Sequence, residues 1–178
     1  LVRPEILYAW KGPSLLVVTP RGECGDDQPV SGYYFREARC LRTVRLEVNG
    51  RSPWLCETAA VAPDCLMLSH VDPEIRHPAG GGTGQAGDDE ETDERGVPVR
   101  SLDIRLSYTV RVSHLVIALT VANRARTSLD AHVAMAFAAD FADIQEAQAC
   151  RREQHAAVDV ACRDGRLEFA YRHPDLPY

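Results

Sequence analysis

The amino-acid sequence predicts an all-β fold, an antiparallel β-sandwich, from three observations. Apolar side chains recur at every second residue in several segments, which is the period of a half-buried strand. Residue pairs that favour tight hairpin turns follow or separate such segments. The connections between most segments are short, so strand follows strand without intervening helices. We expect roughly ten strands in two packed sheets.

The clearest predicted strand begins at Leu102, where apolar and polar residues alternate as far as Val112. A helix would distribute these apolar side chains around its whole axis. Residues 115–122 form a continuous apolar run of strand length, and after a loop at 123–127 the alternation resumes from Leu129 to Phe137. These three segments predict an antiparallel meander.

Turn residues place further strands on both sides of this meander. Asn49-Gly50 follows an alternating segment and favours a type I′ turn, and Asp164-Gly165 predicts a second hairpin near the end of the chain. An earlier hairpin is predicted across residues 19–22, and residues 66–71 have the pattern of another short strand.

One segment departs from the strand pattern. Residues 78–87 are rich in glycine, and residues 88–95 follow with six acids and one arginine. This stretch offers little apolar surface to offset the entropy of ordering it. We therefore predict a mobile, solvated loop over residues 77–96 inside a single β-sandwich domain of residues 1–178. A partner-docking role of the acidic run is the alternative.

Composition excludes several classes of partner. The net charge is −6, of which the acidic run carries −5, so no basic field remains to attract nucleic acid. No apolar run approaches the roughly 18 residues of a membrane helix, so no membrane partner is expected. The chain begins with Leu rather than Met and its start lacks a signal-peptide pattern, so we expect a trimmed piece of a longer protein.

The six cysteines show no C-x-x-C spacing and no cluster with histidine at metal-ligand spacing. We expect reduced cysteines in a cytoplasmic protein, with no metal and no cofactor. A Cys56–Cys65 disulfide is the alternative for a secreted protein. No phosphate-binding loop, nucleophile elbow or other catalytic motif is present, which leaves cofactor chemistry without a candidate.

Asp140, Asp143 and Glu146 recur every three residues in a predicted helical turn over residues 140–148, so the three carboxylates would share one side of it. Neighbouring carboxylates can carry out acid–base chemistry or bind a cation. They can also cap a helix or pair with arginines such as Arg151 and Arg152, and we favour this structural role.

Aromatic residues provide a second set of candidates. A sugar-stacking platform is one interpretation and core or edge packing is the other, which we favour for most of them. The residues concerned are Trp10, Tyr33, Tyr34, Phe35 and Trp54. Trp54 follows Pro53 near a predicted turn, which makes it the foremost candidate for a surface contact.

Three phrases in order carry a family resemblance. Residues 32–39 read Gly-Tyr-Tyr-Phe-Arg-Glu-Ala-Arg, residues 41–50 form a strand that ends in Asn-Gly, and residues 140–146 read Asp-Phe-Ala-Asp-Ile-Gln-Glu. In this order they resemble the N-terminal domain of bacterial glycogen debranching enzymes of the amylo-α-1,6-glucosidase type.

The resemblance implies a β-supersandwich that precedes an (α/α) barrel, and the barrel carries the catalytic acid and base of the glycoside hydrolase. This chain would then be a non-catalytic accessory domain that packs on that barrel and shapes its substrate entrance, with α-glucan as a further possible partner. The candidate contacts with the barrel or a carbohydrate are Arg36, Arg39, Trp54, Asp140, Asp143 and Glu146. A stand-alone carbohydrate-binding module and a purely structural or assembly sandwich are the alternatives.

Overall fold

The computed structural model describes residues 6–25, 28–71, 101–125, 128–151 and 157–172. The predicted loop over residues 77–96 lies outside these ranges. The described residues form twelve strands and one short helix, which confirms the all-β prediction. The strands are β1 (Leu7–Lys11), β2 (Ser14–Val18), β3 (Gly32–Phe35), β4 (Ala38–Leu41), β5 (Thr43–Val48), β6 (Trp54–Ala62), β7 (Cys65–Val71), β8 (Leu102–Val110), β9 (Leu115–Asn123), β10 (Val133–Ala138), β11 (Val158–Arg163) and β12 (Arg166–Tyr171), and the helix is α1 (Ile144–Ala149).

The back layer of the sandwich is the antiparallel sheet β6-β7-β8-β9. Its central strand β8 buries every second side chain, from Leu102 to Val110, as the alternation predicts. The neighbouring strand β7 buries Leu66, Leu68 and His70 on the same face, because these residues pair with the inward residues of β8. The predicted strand is two residues too long, since β8 ends at Val110 and Val112 is 57% exposed.

The front layer combines two sets of strands. The sheet β1-β2-β3-β4 and the pair β5-β10 both pack against the back layer, and one residue, Arg42, separates β4 from β5 along the chain. The segment after β10 runs back along β4, where the backbone N–H of Arg39 donates to the carbonyl of Ala142 at 2.9 Å. Arg42 donates to Ala138 at the joint between the two sets, at 2.7 Å.

The predicted meander is wrong at its third strand. β8 and β9 pair as expected, but β10 pairs with β5 in the opposite layer. The inward residues Val133 and Met135 there pack with Leu46 and Val48, against Ile104 of the back layer. The alternating pattern determines which face of β10 is buried, but not which strand it pairs with. Pairing with β5 in the front layer buries that face as well as pairing with β9 would.

The predicted turns form, but two of them are not followed directly by the second strand of a hairpin. Asn49 and Gly50 have φ of +52° and +75°, as a type I′ turn requires. The pairing stops after one bridge, Val48 with Arg51, and the chain passes Pro53, which has no N–H to donate, before joining the back layer as β6. Residues 19–22 also turn, and β2 pairs antiparallel with β3, the next strand along the chain, but β3 begins only at Gly32, so the connection is longer than the predicted turn.

The Asp164-Gly165 hairpin is confirmed as β11-β12, with φ of +51° and +72° at the two turn residues. The Cys56–Cys65 alternative is wrong. Cys65 lies opposite Ala62, so Cys56 lies six residues farther along β6, or about 20 Å at the rise of a strand. A disulfide needs Cα atoms within about 7 Å. All six cysteines carry free thiols.

The largest cluster of buried apolar residues lies between the two layers, with Leu16 and Val18 of the front layer facing Leu68 and Tyr108 of the back layer. The hydroxyl of the fully buried Tyr108 donates to the carbonyl of Gly22. None of the described helical residues forms a segment long and apolar enough to cross a bilayer.

We predict that Tyr108→Phe lowers the free energy of unfolding by about 1–3 kcal/mol, because the ring stays in place while the buried carbonyl of Gly22 loses its donor. Urea denaturation followed by circular dichroism measures this loss. Tyr8→Phe is the matched control, since Tyr8 is 63% exposed and should change stability little. Equal effects of the two substitutions would contradict the prediction.

Candidate functional site

Arg39 and Asp140 form a buried ion pair at the joint of the front layer. Arg39 lies in β4, and Asp140 lies on the segment that runs back along β4 after β10. The guanidinium donates from Nε to Oδ1 at 3.0 Å and from Nη2 to Oδ2 at 2.6 Å. Each side chain is only 8% exposed. Two parallel bonds of this kind fix both the distance and the plane of the pair.

The remaining guanidinium nitrogen ties a third segment to this pair. Nη1 of Arg39 donates to the carbonyl of Ser31 at 3.1 Å and to that of Pro29. Burial alone would lower the pKa of Arg39, but the hydrogen bond and the charge of Asp140 outweigh it and raise this pKa above its usual value. The arginine therefore stays charged across the whole working pH range.

Gly32 makes the close packing of this arginine possible. Its φ is +149°, and an added Cβ would lie 2.5 Å from Cδ of Arg39 and 2.6 Å from the carbonyl oxygen of Leu41. Both distances are shorter than any ordinary carbon contact. A side chain at position 32 would therefore displace the arginine from its partner.

The other two carboxylates of the predicted helical turn cap a helix. Asp143 is the N-cap of α1 and accepts from the backbone N–H of Gln145 at 2.6 Å. Glu146 reaches back to accept from the backbone N–H of Asp143 at 2.9 Å. This reciprocal arrangement is a capping box. It confirms the structural interpretation of these two acids. The observed helix, Ile144–Ala149, begins four residues later than the predicted turn over 140–148, so Asp140 lies outside it.

A cavity of about 280 Å³ lies beside the ion pair. Its charged lining consists of Arg39, Arg42, Asp140, Glu146 and Arg151. Within the described ranges no three His, Cys, Asp or Glu side chains stand close enough together to hold a metal ion. The carboxylate of Asp140 accepts two hydrogen bonds from the Arg39 guanidinium, which hold it in place in the wall of this cavity.

Arg36 stands apart from this group. It lies in the turn between β3 and β4 with φ of +58°, and its guanidinium sits 5.5 Å from the centroid of the Phe35 ring. It borders a shallow depression with Trp10 and Glu37. The structure therefore joins Arg39, Asp140, Asp143 and Glu146 along one stretch of the front layer and leaves Arg36 on the surface.

The aromatic candidates divide by burial. Tyr33 and Tyr34 are 6% and 1% exposed, which confirms the favoured interpretation of core packing for both and excludes them from the alternative, a surface platform. Tyr34 packs against α1 and donates its hydroxyl to the carbonyl of Val30 at 2.9 Å. Trp10 and Trp54 are 53% and 52% exposed, so both indoles are available at the surface.

Trp54 borders a groove of about 480 Å³ at the edge of the sandwich. The groove reaches buried residues of both layers, Leu46 of β5 and Leu106 of β8. Its polar lining comes from Arg21, Glu23, Ser52 and His70.

Sequence reasoning missed His70, although a signal for it was present. Leu66 and Leu68 occupy the inward positions of β7, and His70 continues the same period of two. It is 5% exposed, and burial lowers its pKa below the usual 6.5 although a hydrogen bond to the backbone of Arg21 opposes that shift. Its Nδ1 atom has no hydrogen-bond partner among the described residues.

The described residues thus define a two-layer antiparallel β-sandwich with an internally paired charge junction and a groove at one edge. The chain matches the family model for the N-terminal domain of (some) glycogen debranching enzymes over residues 10–176, and it belongs to that family. No curated protein and no solved structure gave a significant match. Glycogen debranching enzymes are glycoside hydrolases, so the family places this domain in a protein of that class.

We predict that Asp140→Ala lowers the free energy of unfolding by about 3–5 kcal/mol, because it leaves the Arg39 guanidinium buried without its counter-charge. Urea denaturation measures the change. Asp103→Ala is the matched control: it breaks the pair with Arg124, whose side chains are 44% and 67% exposed, and should cost less than about 1 kcal/mol. Losses of similar size in both variants would show that burial of the Arg39 pair does not matter.

Proposed function

We propose that this chain is a non-catalytic N-terminal domain of a glycogen debranching enzyme, which packs on an (α/α) catalytic barrel of the same parent protein and shapes the substrate entrance. The family match supports the assignment of the parent protein as a glycogen debranching enzyme. The observation that carries the packing role is an apolar face on the hairpin β11-β12.

The register of this hairpin separates its side chains by polarity. Val158 lies opposite Tyr171, Val160 opposite Phe169, and Cys162 opposite Leu167. Cross-strand partners point to the same side of a sheet, so these six residues form one apolar face. The other face carries the charged residues Asp159, Arg163, Arg166 and Glu168.

Much of this apolar face is uncovered. Val160 is 61% exposed and Leu167 is 43% exposed. An isolated two-stranded hairpin is marginal in water and needs packing on one face to be stable. The Phe141 and Tyr171 rings, with centroids 6.0 Å apart, join the base of the hairpin to the sandwich. The half nearer the turn has apolar surface to offer to a partner.

The domain that follows is the partner we assign to this face. The family model for an N-terminal domain extends to residue 176, so β11 and β12 are the strands of that domain nearest in sequence to the domain we propose as partner. The alternating pattern also gives that domain an apolar surface to bury and a charged surface to leave in water.

The carboxylates that the sequence singled out support a non-catalytic role. A glycosidase needs two carboxyl groups on opposite sides of the scissile bond, roughly 5–10 Å apart. Asp140 is bound to Arg39, while Asp143 and Glu146 accept from backbone N–H groups of their own helix. These hydrogen bonds within the domain fit structural roles for the three carboxylates.

A cytoplasmic location is part of the proposal. Six free thiols, of which three are on exposed residues, fit a reducing compartment better than an oxidising one.

We predict that the purified chain releases no glucose from branched maltodextrin. The reducing-sugar assay is run beside an active debranching enzyme, which shows that the substrate is competent. Turnover by this chain that disappears in Glu146→Gln would overturn the non-catalytic assignment.

We predict that Val160→Asn weakens binding of this chain to the separately produced barrel of its parent protein at least tenfold. Burying one valine is worth about 1.5–3 kcal/mol, and tenfold corresponds to about 1.4 kcal/mol. Titration calorimetry measures the affinity. Asp159→Asn, on the neighbouring residue and the opposite face, is the matched control and should bind as the unchanged chain does. Equal weakening by both variants, or by neither, would argue against docking through this face.

A further inference from the structure

The groove beside Trp54 has the composition of a ligand site. Trp54 is the first residue of β6, an edge strand of the back layer, and half of its side chain is exposed at the surface. The floor contains Leu46 and Leu106, which are 3% and 2% exposed. Small-molecule sites combine an apolar base with a few placed polar groups, usually within about 300–1,000 Å³. The groove falls in this range.

One wall of the groove is held in place before any ligand arrives. It is formed by residues 20–23. The hydroxyl of Tyr108 donates to the carbonyl of Gly22, and Oγ1 of Thr58 donates to that of Pro20 at 3.1 Å. The backbone N–H of Gly22 donates to the carbonyl of Thr19 at 2.8 Å. A wall fixed in this way lowers the entropy lost on binding.

His70 lines the groove and has a ring nitrogen without a hydrogen-bond partner among the described residues. The imidazole hydrogen bonds to the backbone of Arg21 in the same wall, and burial keeps the ring neutral at pH 7 by lowering its pKa. Its Nδ1 is then an acceptor, and no described residue donates to it. A buried polar atom of this kind costs stability until a hydroxyl or a water supplies the missing bond.

We propose that this groove is a carbohydrate site that binds an α-glucan, with one glucose ring stacked on the indole of Trp54 and hydroxyl groups bonded to the polar wall. A pyranose ring presents a C–H face and an edge of hydroxyl groups. The indole matches the first, and the charged and hydroxyl side chains of Arg21, Glu23 and Ser52 match the second. The choice of an α-glucan over other sugars rests on the family assignment within the proposed function.

The groove shares no residue with the apolar face of β11-β12. Glucan binding and docking to a barrel are therefore separate properties. The Val160→Asn variant should dock poorly and still bind glucan. Failure of one proposal thus leaves the other standing.

The chain contains two tryptophans, with almost equal exposure, and this allows a matched fluorescence test. Trp10→Phe leaves Trp54 as the sole tryptophan, and Trp54→Phe leaves Trp10. Each variant is titrated with maltoheptaose up to about 10 mM, a range that detects millimolar affinity. We expect a saturable emission change in Trp10→Phe and a flat response in Trp54→Phe.

Calorimetry with the same sugar measures the contribution of the indole directly. Trp54→Ala should weaken binding at least tenfold, and Trp10→Ala should leave it unchanged. Circular dichroism of each variant confirms that the strands are intact. No saturable change in Trp10→Phe, or an equal response of both single-tryptophan variants, would overturn the site. Equal affinity for cellohexaose, which is β-linked, would overturn the assignment to α-glucan.

Discussion

The buried pair of Arg39 and Asp140 is the interaction on which the front layer depends. Its members are 101 residues apart in sequence, and its guanidinium also holds the carbonyls of Pro29 and Ser31. It thus connects β4, the segment after β10 and the approach to β3 at one point. Desolvating two charges is expensive, so such a pair is tolerated only with complete hydrogen bonding, which the two-bond geometry and the backbone carbonyls supply here.

This pair also determines what the acidic phrase at residues 140–146 can do. The first carboxylate is anchored by Arg39, and the next two form the capping box that starts α1. α1 in turn packs Ile144 and Ala147 against Tyr34 on the outer side of the front layer. Residues 140–146 thus follow the end of β10, bind this segment to β4 through Arg39, and begin the helix that covers the adjoining sheet. Their charges serve the architecture, so ligand contacts are better sought at the surface.

Local sequence patterns predicted much of the fold because they report on local physics. The period of two in β8 and the positive φ that Asn49-Gly50 and Asp164-Gly165 adopt depend only on neighbouring residues. The partner of β10 depends on which distant strand offers a matching apolar face, and β5 and β9 offer similar ones. The sequence suggested the nearby Arg151 and Arg152 as partners of the acids in residues 140–146, whereas Asp140 pairs with Arg39, which is 101 residues away and reaches it only through the fold. The surface position of Arg36 likewise depends on the turn geometry. Pro53 and the nearby turn pointed to Trp54 as a surface residue, and it is 52% exposed. The groove beside it could not be predicted, because its lining comes from segments that are far apart in sequence.

The groove and the hairpin face differ in how they relate to stability. The wall of the groove is tied to the core through Tyr108, so a ligand there meets a surface that already has its shape. The outer half of the hairpin has an apolar face in water and gains stability only when something covers it. Binding that covers Val160 and Leu167 therefore couples to the ordering of β11-β12, and occupancy of the groove need not. In our proposal, the groove can therefore bind a carbohydrate without the rest of the protein, whereas β11-β12 gain stability from the barrel that covers them.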